Sequence, residues 1–298
     1  MPSTPLNISA LLESAAEASL PAGLYVVATP IGNRGDITLR ALATLASADL
    51  VAAEDTRDTA RLLRGYGIEA KTISYHEHNE HTRAPQLLKR LREGARIALV
   101  SDAGTPTVSD PGFRLVQAAA AAGLSVVPIP GVSAVVSALS ICALPTDSFL
   151  FLGFAPKKKG KRRQFIETLK PHPHTLVFYE SPRRIIGLLK ELETVLGPRP
   201  AMLAREMTKR HEEFLRGNLD QIQTQLETRP EVKGEITLLV GGGAKDAASD
   251  WDEIETALTE AIAEGQGSLS TITKAIAKAH HRPRGDVYAL ALKLREKG

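Results

Sequence analysis

From residue 23 onward, short apolar runs alternate with segments whose apolar residues recur every three or four positions. The runs at 24–28 (LYVVA), 50–53 (LVAA), 97–100 (IALV) and 124–129 (LSVVPI) are short, and they read as strands buried on both faces. A briefer strand is expected at 70–74. Between them, 38–46, 56–65, 82–92 and about 113–122 carry helical spacing, as in Leu87, Leu88 and Leu91, and the PGVS at 130–133 opens a further helix. Strands separated by helices of this length predict a mostly parallel sheet covered on both faces.

The alternation restarts near Asp147, with strands at 149–152, 175–179 and 200–205 and helices at 161–169 and 183–196. A strand at 213–216, a helix at 218–227 and an apolar strand at 234–240 follow, closed by Gly241-Gly242-Gly243 acting as a domain terminator. Helical periodicity returns in Ile254, Leu258 and Ile262, then Ile272 and Ile276, then 287–294, so two or three helices end the chain. The expected organisation is an N-terminal tail with a short helix (1–22), an N-terminal α/β domain (23–145), a C-terminal α/β domain (146–243) and a helical extension (244–298).

Composition adds limits. The chain has 298 residues, 43% apolar and 24% charged, which suits a soluble protein with substantial cores. Its one cysteine, Cys142, lies in an apolar segment and reads as a core thiol in a reducing cytoplasm. The first twenty residues lack the basic start and continuous apolar core of a signal peptide, so the sequon at Asn7-Ile8-Ser9 reads as accidental. The apolar span 115–144 is broken by Gly123, Pro128, Pro130 and Gly131 into a buried βα unit, and no membrane partner is expected.

Net charge is only +3, but it is unevenly spread. Lys157, Lys158, Lys159, Lys161, Arg162 and Arg163 put six basic residues within seven positions. The C-terminal part adds Lys274, Lys278, His280, His281, Arg282 and Arg284 after an acidic stretch at 246–264. Such a field points to a polyanionic partner, with a solvated charge run as the alternative. Only 4% of residues are aromatic, so backbone and shape contacts are expected rather than a stacking platform, with Tyr75, Phe154 and Tyr179 available singly.

The chemistry-bearing residues follow strands. TPIGN (29–33), EDTR (54–57), SDAGTP (101–106) and PGVSA (130–134) end strands of the first pattern, and GFAP (153–156), YESPRR (179–184) and REMTK (205–209) those of the second. Two converging sets of loops imply a cleft, the default ligand site. The segment VSDAGTPTVSDPG (100–112) is built of small residues, glycines and prolines around Asp102 and Thr105, so its backbone can approach a ligand closely. No dinucleotide or P-loop fingerprint is present; GFAPKKKGK comes nearest, with glycines too widely spaced and Arg162 where Ser or Thr belongs. No metal motif is present either, and His76, Glu77, His78 and His81 read as a polar surface.

Taken together, TPIGN, EDTR, SDAGTPTVSDPG, PGVSA, GFAPKKKGKR, YESPRR, AREMTKRHEE and KGE resemble the ribosomal RNA small subunit methyltransferase I family, within the tetrapyrrole methylase-like superfamily. The resemblance runs from about residue 23 to 243. It implies two α/β domains of the tetrapyrrole methylase type with the cofactor cleft between them, plus the small helical piece. It also implies S-adenosylmethionine (SAM) as methyl donor and the ribose 2′-hydroxyl of a decoding-centre cytidine in 16S rRNA as acceptor, in naked RNA or the 30S subunit. A homodimer with no DNA partner is implied as well. SAM carries no phosphate, which accounts for the missing phosphate loop. By the same resemblance Pro30, Asp102, Ala103, Gly104, Ser133, Ala134 and Glu180 line the cofactor pocket.

A ribose hydroxyl needs to lose its proton to attack, so a carboxylate base is expected, with Glu54, Asp55 and Glu206 as candidates. Arg57, Arg205 and Lys209 are candidates to orient RNA phosphates, as are the six basic residues of 157–163. Interdomain salt bridging is the competing use of these charges. Two other readings stay open: a small-molecule tetrapyrrole methylase and a non-catalytic RNA-binding assembly factor.

Overall fold

The computed structural model describes residues 20–243, 247–265, 267–280 and 282–297. The expected N-terminal tail, up to residue 19, lies outside the described residues, as does His281. Contacts divide the chain into two compact units, one running to residue 170 and again over 174–241, the other formed by 171–173 and 242–298.

The first unit opens with β1 (Gly23–Val27), α1 (Leu39–Ser47), β2 (Leu50–Ala53), α2 (Thr56–Gly65), β3 (Thr72–Ser74), α3 (Glu80–Arg92), β4 (Arg96–Val100), α4 (Phe113–Ala121), β5 (Val126–Ile129) and α5 (Ala134–Leu139). The five strands form one sheet in the order β3-β2-β4-β1-β5, every pair parallel. Alternate residues feed two cores: Leu24, Ala52, Ile97 and Leu99 meet Leu87, Leu91 and Leu115 on one face, and Tyr25, Val27, Val51 and Val100 meet Ala41, Leu45 and Leu63 on the other. Side-chain caps start two of the helices, Thr38 accepting from the amide of Ala41 and Asp55 from those of Arg57 and Asp58. The helix expected to open with PGVS begins later, at Ala134, because Ser133 remains in extended backbone.

A second sheet follows, from β6 (Phe149–Phe154), α6 (Lys159–Thr168), β7 (Thr175–Glu180), α7 (Ile185–Leu196), β8 (Pro200–Arg205), β9 (Glu213–Asn218), α8 (Leu219–Glu227) and β10 (Ile236–Val240). Its order is β6-β7-β10-β8-β9, and only β6 and β7 run parallel, the other three pairs being antiparallel. One face packs on Ile166, Leu188, Leu192, Ile222 and Leu226 of α6, α7 and α8. The opposite face, with Val177, Met202 and Leu239, packs on Val135, Ala138 and Leu139 of α5 and on Ile31, which joins the two sheets through one apolar layer. Cys142 is buried in that layer as a free thiol.

The second unit contains α9 (Ala247–Ala263), α10 (Leu269–Ala279) and α11 (Arg284–Lys297) around its own core of Ile254, Leu258, Ile272 and Val287. Among the described residues no helix is long and apolar enough to cross a membrane.

Candidate active site

Because β10 runs antiparallel between β7 and β8, the C-terminal ends of β6, β7 and β8 and the N-terminal end of β10 share one edge of the second sheet. That edge and the C-terminal edge of the first sheet enclose a cavity of about 470 Å³. Asp102, Ala103, Gly104, Ser133 and Ala134 line it from the first sheet, together with Ile31, Glu54 and Asp110. Tyr179, Glu180, Met207 and residues 234–237 line it from the second. Of the residues expected at a cofactor pocket, Pro30 alone is not in the wall; its neighbour Ile31 is.

The loop after β4 is held in shape by its own backbone. Thr29 and Gly104 exchange both amide bonds, at 2.9 and 3.0 Å, which docks the loop on the end of β1. Gly104 has φ +77°, a conformation that glycine adopts without steric cost. Thr107 (φ +75°) and Ser109 (φ +64°) adopt left-handed backbone without that freedom, as do Glu206 (φ +52°) and Thr208 (φ +65°) across the cleft. Left-handed non-glycine residues on both sides of a cavity mark backbone whose shape the surroundings over-determine. The two sides are also latched, since the Asn33 amide donates to the Thr208 hydroxyl at 3.0 Å. Gly32 permits this approach: a Cβ there would lie 2.5 Å from Cγ of Lys209 and 2.7 Å from the Thr208 hydroxyl.

Three carboxylates of the first sheet gather at the cavity. The amide of Asp102 donates to Glu54 at 3.4 Å, and the Asp102 carboxylate accepts from the amide of Asp55 at 3.0 Å. Burial, and then the charge of Asp102, raise the Glu54 carboxyl above its ordinary range. Asp102 is raised by burial as well. Asp110 is pushed up to about 6, first by burial and next by the charge of Glu54. Among the described residues no Lys or Arg acts on these three, and the one opposing charge is that of His76 on Glu54. Asp110 is not among the residues singled out from the sequence. The cue that would have found it is its place eight residues after Asp102 in the same strand-end loop.

The other expected acids and bases are engaged elsewhere. Asp55 caps α2 and pairs with Arg57 at 2.6 Å, which holds its carboxyl well below the usual range. Glu206 accepts from the Glu235 amide at 3.0 Å and from Lys209 at 2.9 Å, and its carboxyl is lowered, chiefly by that amide. Lys209 also pairs with Glu235 at 3.1 Å. Arg205 donates to Glu213 at 2.9 Å, and Glu213 in turn takes two bonds from Arg229, its carboxyl lowered to about 2 first by Arg229. Glu180 is 2% exposed; the Ser181 amide donates to it at 2.7 Å and Arg184 pairs with it at 3.0 Å.

Within the basic run, Lys157, Lys158, Lys159 and Lys161 are exposed, and α6 begins inside it at Lys159. Arg162 instead turns inward and makes a bidentate pair with Glu191 of α7 at 2.7 and 2.8 Å, and Arg163 pairs with Glu167 on its own helix. Among the described residues no group of His, Cys, Asp and Glu is arranged to hold a metal ion.

Comparison with known proteins places this architecture. Residues 23–223 match the model of the Tetrapyrrole (Corrin/Porphyrin) Methylases. The chain is 45% identical over 265 residues to the ribosomal RNA small subunit methyltransferase I of Micromonospora olivasterospora, covering 89% of this chain and 85% of that one. It is 43% identical over 278 residues to the protein of the same name from Synechocystis sp., covering 92% and 99%. In fold it resembles the crystal structure of uroporphyrin-III C-methyltransferase from Thermus thermophilus complexed with S-adenosylhomocysteine, with a TM-score of 0.51, 20% identity, and coverage of 73% of this chain and 96% of that one. The chain therefore belongs to the tetrapyrrole methylase family and, within it, to the ribosomal RNA small subunit methyltransferase I family.

Proposed function

We propose that this protein is a SAM-dependent methyltransferase that modifies 16S ribosomal RNA at the ribose 2′-hydroxyl of a cytidine in the decoding centre. The observation that carries the reading is the cavity whose first-sheet wall gathers three carboxylates, on which no Lys or Arg acts among the described residues, beside relatives named as ribosomal RNA methyltransferases. Like charges held together in a partly buried site favour a cationic ligand, and SAM brings a sulfonium and an ammonium.

The residues fit that donor. About 470 Å³ is within the range of small-molecule sites. Ile31, Ala134 and Met207 give apolar wall for an adenosine, and the loop at Asp102 to Gly104 brings backbone groups to it. Asp102 and Asp110 would face the positive groups. Bound there, SAM supplies an electrophilic methyl group for transfer to oxygen.

Glu54 is the residue assigned to accept the proton of the acceptor hydroxyl. Its raised pKa makes it a stronger base than an exposed glutamate, and unlike Asp55 and Glu206 it is bound to no cationic side chain. The latch between Asn33 and Thr208 holds the two walls at a fixed separation, so that donor and acceptor meet in a reactive orientation. Exposed Lys157, Lys158, Lys159 and Lys161, following the loop that contributes Phe154 to the wall, would hold RNA phosphates. A homodimer belongs to the same reading, supported by apolar side chains left at the surface on and after α5: Val136, 61% exposed, and Ile141, 37% exposed.

The test is incubation with methyl-labelled SAM and, separately, undermethylated 30S subunits, naked 16S rRNA and a porphyrinogen. Label is expected in RNA, at a cytidine whose 3′ linkage resists alkali because the 2′-oxygen is blocked. Label in the porphyrinogen, or in no acceptor, would overturn the proposal.

A further inference from the structure

A second cavity, of about 290 Å³, shares Asp102 with the first. Its wall is formed by Arg34, Ser101, Asp102 and one face of α2, where Asp58, Arg61 and Leu62 stack at helical spacing. Asp102 is the residue common to both cavities. A methyl donor in the first therefore has an adjoining, more polar chamber that nothing in the preceding reading uses.

Arg34 and Arg61 both line this chamber, and they differ in commitment. Arg61 pairs with Asp58 at 2.9 Å, in a pair that is exposed on both sides. Arg34 is in no ion pair among the described residues, yet it is anchored. The Tyr66 hydroxyl donates to its carbonyl at 2.6 Å, and Asn33 caps the turn that carries it by accepting from the Gly35 amide at 2.9 Å. Its guanidinium lies against Gly65, one turn beyond Arg61 and Leu62 on α2, where a Cβ would stand 2.6 Å from Nη1. That guanidinium sits at the C-terminal end of α2, a favourable place for a cation, and with no carboxylate partner among the described residues it can also take an anion from outside.

We infer that this chamber seats a backbone phosphodiester of the acceptor RNA strand, with Arg34 as the fixed contact and Arg61 exchanging Asp58 for the phosphate. The inference rests on the RNA-methylating reading for the identity of the polyanion. A planar guanidinium binds phosphate through two parallel bonds, which fixes orientation as well as position. A phosphate held between Arg34 and Arg61 would keep its nucleotide beside the donor cavity.

The experiment compares wild type, Arg34→Gln, Arg34→Lys and Asp58→Asn. Three measurements are made: binding of a fluorescein-labelled single-stranded RNA 20-mer over a range of KCl, SAM affinity by calorimetry, and methyl transfer to undermethylated 30S subunits. Arg34→Gln is expected to weaken RNA binding roughly tenfold and to lower the slope of log Kd against log[KCl] by about 0.7, the loss of one phosphate contact. SAM affinity should stay within about twofold, since lost phosphate contact leaves the donor cavity intact. Arg34→Lys should restore the slope but only part of the affinity, because it keeps charge without the fork. Asp58→Asn releases Arg61 and should tighten RNA binding severalfold; this variant decides the matter should Arg34→Gln fail to fold.

Unchanged RNA affinity and slope in Arg34→Gln overturn the inference. So does weakened SAM binding with unchanged RNA binding, which would make Arg34 a partner of the donor's carboxylate. Wild type that labels no RNA, while Arg34→Gln still lowers the salt slope, would refute the proposed reaction and leave the phosphate seat standing.

Discussion

Asp110→Asn is expected to stabilise the fold at neutral pH while weakening the donor site. The native carboxyl keeps its proton up to about pH 6, whereas an unfolded chain releases it near 3.8. Between those values the native state binds more protons than the unfolded one, so wild-type stability falls as pH climbs through this window and stays low above it. Moving the titration from 3.8 to about 6 corresponds to roughly 3 kcal/mol. Asp110 is partly exposed, and solvent screening reduces that to an expected gain of about 1–2 kcal/mol for the neutral amide.

The gain should have reached only about a third of its full size at pH 4.5 and be complete at pH 8. Urea unfolding of ligand-free protein at the two pH values measures it, followed by far-UV circular dichroism because the single tryptophan, Trp251, reports on the C-terminal helices. SAM affinity of the same variant should fall about tenfold at pH 8, through loss of one charge facing a cation. Destabilisation by Asp110→Asn at pH 8 would refute the reasoning, since it would mean that the carboxylate makes favourable contacts in the ligand-free protein.

Glu54→Gln should lower methyl transfer by about a hundredfold or more with SAM affinity changed far less, as single-turnover assays and calorimetry can separate. Arg162→Ala should cost about 2–3 kcal/mol in unfolding free energy by stranding Glu191, whose side chain is 17% exposed. Reversing the charge of Lys158 and Lys161 together should change stability by less than about 0.5 kcal/mol and weaken RNA binding in a fluorescence titration. Gly32→Ala should cost about 1–3 kcal/mol in the same unfolding assay, because its Cβ would press on Lys209 and Thr208 across the cleft.

Much of this architecture was legible from periodicity. The strand at 50–53 and the helix at 56–65 were placed to the residue, because both faces of β2 are buried and Asp55 announces the helix by capping it. Strand direction in the second half was not legible: β8, β9 and β10 look like any other short apolar runs, and antiparallel pairing is decided by where the chain returns, which periodicity does not encode. Among site residues, the cavity contains Asp102 to Gly104 with Ser133 and Ala134, which follow strands of a parallel sheet and so must meet at its edge. Roles among the charged residues were harder to read. Arg162 and its neighbour Lys161 look alike in a basic run, yet helix geometry turns one onto α7 and the other to solvent. Arg34 gave no signal at all, since what distinguishes it is the seat of its guanidinium against Gly65, thirty-one residues away.

The insertion of β10 between β7 and β8 has a consequence for how the molecule comes into being. Until residue 240 has been synthesised, the parallel pair β6-β7 and the hairpin β8-β9 are two pieces with no strand to join them, each presenting an unpaired apolar edge. The last strand closes both edges at once, and the residues leading into it, Gly234 and Glu235, complete the cavity wall. A nascent chain thus acquires its second sheet and its closed cavity in one late event, and a chain cut short before Ile236 would have neither. Such a fragment, with two sticky edges, would be a substrate for chaperones and proteases rather than a partly active enzyme.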